Sequence, residues 1–276
     1  MILDNVIHKE ESGTAVSQGY LPIGNSGSYA TLVSIARNEK PKNIVLAVPG
    51  YPGDAISGFH GMARKLVGDG TTTIALGYPG VHPDVLSNGL GVEVQATPDK
   101  FDFYNCPEAV KFAVEYIKLH SDAKIIVAGH SFGGWAVAKA LEDRMAPDIH
   151  HVFLLSPMVN VGLLEHEFPG GPEAFKRFIE EAIEGNKIMA NPASLMNQLS
   201  YLTELPYTRS HRIPVTILNA TKDVYDNNDH QIGVAKKKLI DAGHRPQVVD
   251  IETDHSFEDR PARKKLLQIV RKVTQK

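Results

Sequence analysis

Three residues stand out for the chemistry they could do together: Ser131, Asp223 and His255. Ser131 lies at the centre of Gly129-His130-Ser131-Phe132-Gly133, a G-x-S-x-G pentapeptide. A β-branched apolar run from Lys124 leads into it and reads as a buried strand; Ala136 to Asp143 follows and reads as a helix. At a sharp strand-to-helix turn the tip side chain points away from the backbone, and flanking glycines let neighbouring elements come close. A serine there stands at a helix N-terminus, where free N–H groups and the helix dipole favour developing negative charge. A serine hydroxyl is a weak nucleophile until a base takes its proton, and that base must be held in one tautomer by a third group.

The elements that would position such partners can be read along the chain. Asn43–Val48 is a continuous apolar run suited to a strand buried on both faces, followed by the turn-forming Pro49-Gly50-Tyr51-Pro52-Gly53-Asp54. Early strands are predicted near Val16–Leu21 and Tyr29–Ala36, and a further strand over Thr72–Leu76. Helical spacing predicts a helix over Ile56–Val67 and another over Pro107–Leu119, separated by an irregular Gly-, Pro- and Asp-rich passage from Gly77 to Asn105. His151–Leu155, Val215–Asn219 and Gln247–Ile251 read as strands; His230–Ala242 and Arg260–Val273 read as helices. Strands alternating with helices imply a mainly parallel central sheet flanked by helices.

From Met158 to Arg212 the rhythm changes, with helical segments opened by Pro172 and by Asn191-Pro192 and no evident strand. The expected organisation is a core of residues 1–157 and 213–276 with a helical cap insert at 158–212.

In open α/β sheets, ligands bind beyond the carboxyl ends of the strands. Asp223 follows the Val215–Asn219 run and His255 follows the Gln247–Ile251 run, both at such ends. Asp226 lies in the same loop as Asp223 and could serve as the acid instead; either could be a simple turn residue. None of the other eleven histidines follows the last strand and precedes the closing helix. Asp254 adjoins His255 in sequence, an awkward position for pairing with the same ring. His130 is expected to pack behind the serine.

The order Ser131, Asp223, His255, with G-H-S-F-G-G as its strongest motif, resembles the α/β-hydrolase superfamily over essentially the whole chain. The resemblance implies Ser131 as nucleophile, His255 as general base and then acid, and Asp223 as the carboxylate orienting His255. It further implies an oxyanion hole from the backbone N–H groups of Phe132 and Tyr51. Many members have His-Gly where this chain has Pro49-Gly50; the donor is a main-chain group, so the chemistry survives the change. The expected activity is cofactor-free hydrolysis of small-molecule carboxylic esters. The same residues would serve a prolyl-oligopeptidase-like peptidase, a thioesterase or an acyltransferase, and a non-catalytic ligand-binding protein can share the fold.

Composition narrows the partners. Apolar content of 42% and charged content of 22% are ordinary for a globular protein, and a net charge of −3 gives no reason to expect nucleic acid. The polar start and the lack of any long apolar run argue against a secretory signal or a membrane span. A single cysteine, Cys106, excludes an internal disulfide and suits a reducing compartment, so a cytoplasmic location is expected. Asp226-Asn-Asn-Asp-His230 lacks the glycine and terminal glutamate of a calcium loop, and no metal is expected.

Overall fold

The computed structural model describes residues 3, 5–9, 13–23, 27–37, 40–51, 56–82, 93–95, 99–142, 149–158, 168–185, 187–199, 213–224 and 228–275. Asp226, the cap positions 159–167 and 200–212, the turn at 24–26 and the loop positions 52–55 lie outside them.

Nine strands form one sheet: β1 (Asn5–Lys9), β2 (Thr14–Ile23), β3 (Ser28–Arg37), β4 (Asn43–Val48), β5 (Thr71–Gly77), β6 (Lys124–His130), β7 (Ile149–Leu155), β8 (Val215–Ala220) and β9 (Gln247–Ile251). Their order is β1-β2-β3-β5-β4-β6-β7-β8-β9. The pairings from β5 through β4 to β9 are parallel, and those among β1, β2, β3 and β5 are antiparallel. Seven helices are described: α1 (Ile56–Val67), α2 (Asn105–His120), α3 (Phe132–Glu142), α4 (Gly171–Glu184), α5 (Pro192–Leu199), α6 (Asn228–Asp241) and α7 (Arg260–Thr274).

The apolar runs of the central strands are explained by burial on both faces. Ile44, Leu46 and Val48 of β4 and Val127 of β6 join the core that includes α2, α3 and α6. The alternate residues Val45, Ala47, Ile126 and Ala128 join a second core beneath α1 and α7. Period-two alternation gives the middle of each of these strands two buried faces, which is why their runs are apolar without a break.

Two sequence expectations need correction. The edge strand β1 was not anticipated, because Asn5-Val-Ile-His-Lys9 is largely solvent-facing and carries little apolar signal. The helix after the pentapeptide begins at Phe132, not at Ala136, so the serine is the residue immediately before it. Two adjacent glycines in its first turn weaken the helical pattern there.

Between β7 and β8 lie α4 and α5, each opened as the sequence suggests. Pro172 is in the first turn of α4, and the Asn191 side chain accepts from the Ser194 N–H at 3.2 Å. One short piece of this region is extended: Ile188 bridges Val81 in antiparallel sense, flanked by His82 N–H to Lys187 O and Met189 N–H to Gly80 O. No helix among the described residues is long and apolar enough to cross a membrane.

The closing helix has a side-chain cap that also reaches the preceding loop. Asp259 accepts from the Ala262 N–H at 2.7 Å, and its other carboxylate oxygen is hydrogen-bonded to the Thr253 hydroxyl. Losing an N-cap carboxylate typically destabilises by about 1 kcal/mol. Asp259→Ala is therefore expected to lower the unfolding free energy by about 1 kcal/mol, seen as a lower urea midpoint with an unchanged m-value in equilibrium unfolding.

Candidate active site

The strand register sets the site. Val48 of β4 pairs with Gly129 of β6, so the Pro49-Gly50-Tyr51 turn emerges beside His130 and Ser131. On the other side of β6, His130 pairs with Leu155 of β7. Farther along, Ala220 of β8 pairs with Ile251 of β9, and Asp223 and His255 follow those paired ends.

Ser131 adopts φ 51°, a left-handed conformation that is strained for any residue with a Cβ. Its backbone is held from several sides. The Ser131 N–H donates to Leu155 O (2.9 Å), and its carbonyl accepts from Gly134 N–H (2.9 Å) and Met158 N–H (3.0 Å). The glycines of the pentapeptide are required by close packing. A Cβ on Gly133 would stand 2.4 Å from the carbonyl oxygens of both Val48 and Pro49, and one on Gly129 would stand 2.5 Å from Gly133 O. Gly134 is under the same constraint, with Pro157 at 2.6 Å. The helix can thus begin hard against the end of β4, and the N–H of Phe132, the first of α3, has no acceptor one turn back within its own helix.

The turn after β4 is fixed from both ends. The buried Tyr78 hydroxyl donates to Pro49 O (3.1 Å), and the Tyr51 hydroxyl donates to Ile179 O of α4 (3.1 Å). The Tyr51 ring packs against Phe101, Phe103 and Phe178, with centroids 5.7–5.8 Å away. Burial raises the Tyr51 phenol well above its ordinary value, so it stays protonated. Gly50 lies directly against the serine: a Cβ there would be 3.1 Å from Ser131 Cβ.

Asp223 and His255 meet. His255 Nδ1 is 2.5 Å from Asp223 Oδ2; the carboxylate side chain is fully buried and the imidazole is 18% exposed. A carboxylate can only accept, so Nδ1 carries the hydrogen and Nε2 is left as the basic nitrogen. The two loops are laced together by Thr221 N–H to Ile251 O and Lys222 N–H to Thr253 O, both 2.9 Å. Asp254 faces its own loop, accepting from Ser256 N–H and Oγ, as its adjacency to His255 suggested.

His130 turns out to be the link between the serine and the histidine loop. Its Nε2–H donates to the His255 carbonyl at 2.6 Å, and the two rings lie 4.8 Å apart. The Phe257 ring meets it edge-on. Complete burial, reinforced by the neighbouring His255, lowers the His130 pKa from 6.5 to about 3, so this ring is neutral.

Two features of the site had no sequence signal. Met158, the first residue after the Ser156-Pro157 turn, brings its thioether onto the serine, and Ser131 Oγ–H donates to Met158 Sδ at 3.0 Å. The Tyr51–Ile179 bond ties the loop after β4 to a helix that sequence spacing alone does not place beside it. Cys106 is buried and burial raises its thiol pKa, in keeping with a structural role. Among the described residues no cluster of three or more His, Cys, Asp or Glu could hold a metal.

The family model described as "Alpha/beta hydrolase family" matches residues 44–263, and the chain belongs to that family. No curated protein sequence matches it. Among solved structures it is similar to carboxyl esterase 2 from the mycorrhizal fungus Tuber melanosporum, at TM-score 0.65 and 16% identity, covering 99% of this chain and 89% of the other. A thermostable carboxyl esterase from Bacillus coagulans superposes with TM-score 0.65 at 11% identity, covering 94% and 99%. An esterase from Exiguobacterium antarcticum does so with TM-score 0.62 at 13% identity, covering 93% and 99%. At these identities the likeness is one of fold.

The neutral, buried His130 has a consequence for stability. Its folded pKa lies below its unfolded value, so its contribution is full above about pH 6.5 and is lost as pH falls towards 3. The slope from one such group approaches about 1.4 kcal/mol per pH unit. His130→Gln, whose amide nitrogen takes the place of Nε2 and can still donate to the His255 carbonyl but does not titrate, is expected to lose less melting temperature between pH 7 and pH 5 than the wild type. Thermal melts across that range test this.

Proposed function

We propose that the protein is a serine hydrolase that cleaves carboxylic esters through an acyl-enzyme intermediate, with Ser131, His255 and Asp223 as its triad. The observation that carries this reading is the Asp223–His255 bond of 2.5 Å, reached from two different loops, with His255 bonded through its carbonyl to His130, the neighbour of a serine held at φ 51°. A structural loop needs neither the strained serine nor the buried carboxylate.

In the proposed reaction the Ser131 hydroxyl leaves Met158 Sδ, a weak acceptor that yields readily, and turns to His255 Nε2. The imidazole takes the proton as Oγ attacks the acyl carbon, and Asp223 stabilises the imidazolium that results. The carbonyl oxygen becomes an oxyanion and is held by the N–H groups of Phe132 and Tyr51. Each such donor contributes on the order of 10²–10³ in rate. His255 returns its proton to the departing alkoxide, then activates a water that releases the acid and frees Ser131.

The insert at 158–212 is proposed as a cap, and its described helix α4 meets the turn after β4 through the Tyr51–Phe178 ring contact and the Tyr51–Ile179 bond. An aromatic surface beside the candidate oxyanion loop favours an apolar acyl group of limited size. The structurally similar proteins, two of them carboxyl esterases, favour an ester over a peptide or thioester substrate.

The test is turnover of p-nitrophenyl esters from acetate to octanoate. Wild-type protein is expected to hydrolyse the shorter ones, and Ser131→Ala to lose on the order of 10³-fold or more in kcat with its fold intact. A wild type inert at every acyl length would defeat the proposal.

A further inference from the structure

Met158 is bonded to the candidate nucleophile twice over. Its N–H donates to the Ser131 carbonyl at 3.0 Å, and its sulfur accepts the Ser131 hydroxyl hydrogen at 3.0 Å. The placement is enforced by the backbone. Ser156 adopts φ 36°, its N–H donates to Leu218 O, and its hydroxyl accepts from Ala220 N–H, so the chain is turned back at the ends of β7 and β8. Pro157, packed against Gly134, then delivers Met158 onto the serine. The Met158 side chain is only partly buried. A small oxidant that reaches the serine therefore reaches the thioether too.

We propose that Met158 is an oxidative modification site through which peroxides reversibly shut down Ser131. This rests on Ser131 being the nucleophile, as proposed above. In the modifying step a sulfur lone pair attacks one oxygen of hydrogen peroxide or an alkyl hydroperoxide. The S–O bond forms, the O–O bond breaks, and the other oxygen leaves with the transferred proton as water or an alcohol. Sulfur is oxidised by two electrons and the peroxide is reduced by two. The added oxygen has no room between two atoms already 3.0 Å apart, so the flexible side chain must turn. The polar sulfoxide oxygen is a far stronger acceptor than the thioether, and from this position it retains the serine hydrogen that His255 Nε2 must take.

Among the described side chains, the other sulfur atoms do not explain such an effect. Cys106 is fully buried with a raised thiol pKa, which leaves little thiolate to react. Met62 is in the core beneath α1. Met189 is 38% exposed and would be oxidised readily, but its contacts run to Gly80 and Phe101 and not to the serine.

The experiment treats the full chain with graded hydrogen peroxide and follows p-nitrophenyl acetate hydrolysis, fluorophosphonate labelling and the oxidation state of each methionine by peptide mass spectrometry. Wild-type activity is expected to fall about tenfold or more in step with Met158 sulfoxide, and to return on treatment with methionine sulfoxide reductases and dithiothreitol. Met189→Leu should lose activity with the same dose dependence. Met158→Leu, compared with its own untreated rate, should resist. Should that variant fail to fold, the correlation with Met158 sulfoxide and the reductase rescue in wild-type protein decide the question. Full conversion of Met158 with activity retained, or equal loss in Met158→Leu, overturns the inference while leaving the hydrolase reading intact. Untreated wild-type protein that is inert and unlabelled overturns the hydrolase reading, and this inference with it.

Discussion

Everything at the site depends on how closely the end of β4 can approach the start of α3. Gly133 rests on the carbonyls of Val48 and Pro49 at a distance that leaves no space for a Cβ. That contact lets the helix start one residue after Ser131 and forces the chain to reverse through a left-handed serine. Strain at such a position is of order 1–3 kcal/mol and persists only where the surroundings determine it. Here the neighbouring strand end and the Ser156–Met158 segment supply that determination through hydrogen bonds to both the N–H and the carbonyl of Ser131. The same close approach brings Gly50 against the serine, so the turn after β4 and the position of Ser131 are set by one packing constraint.

The other half of the site is assembled at the ends of β8 and β9. Asp223 and His255 sit on loops that hydrogen-bond to each other before either side chain is considered. The His255 loop is also tied to the cap of α7 through Thr253 and Asp259. His130 joins the halves. It belongs to the pentapeptide yet donates to the carbonyl of His255, and its burial keeps it uncharged. The two histidines thus differ in setting: one ring is sealed and neutral, the other is paired with a carboxylate and partly open to solvent.

Much of this was legible in the sequence because it rests on local patterns. The unbroken apolar runs of β4 and β6 report two buried faces, and the glycines around Ser131 report a tight turn. Asp223 and His255 were identifiable as loop residues because the strands before them are short and apolar. What the sequence did not reveal is tertiary. Nothing in the Ser156-Pro157-Met158 segment indicates that the sulfur returns to the serine, because that depends on a left-handed Ser156 and on Gly134 making room for Pro157. Tyr51 was singled out for its backbone N–H, whereas its hydroxyl is what ties the loop to α4. The strand β1 escaped because an exposed edge strand lacks the apolar alternation by which strands are read.

If Ser131 is the group that becomes acylated, a fluorophosphonate adduct mapped by peptide mass spectrometry lies on the Ser131 side chain and nowhere else, and it is abolished in His255→Ala. An adduct on any other residue, or an unmodified Ser131 in protein that turns over esters, would contradict acylation at Ser131.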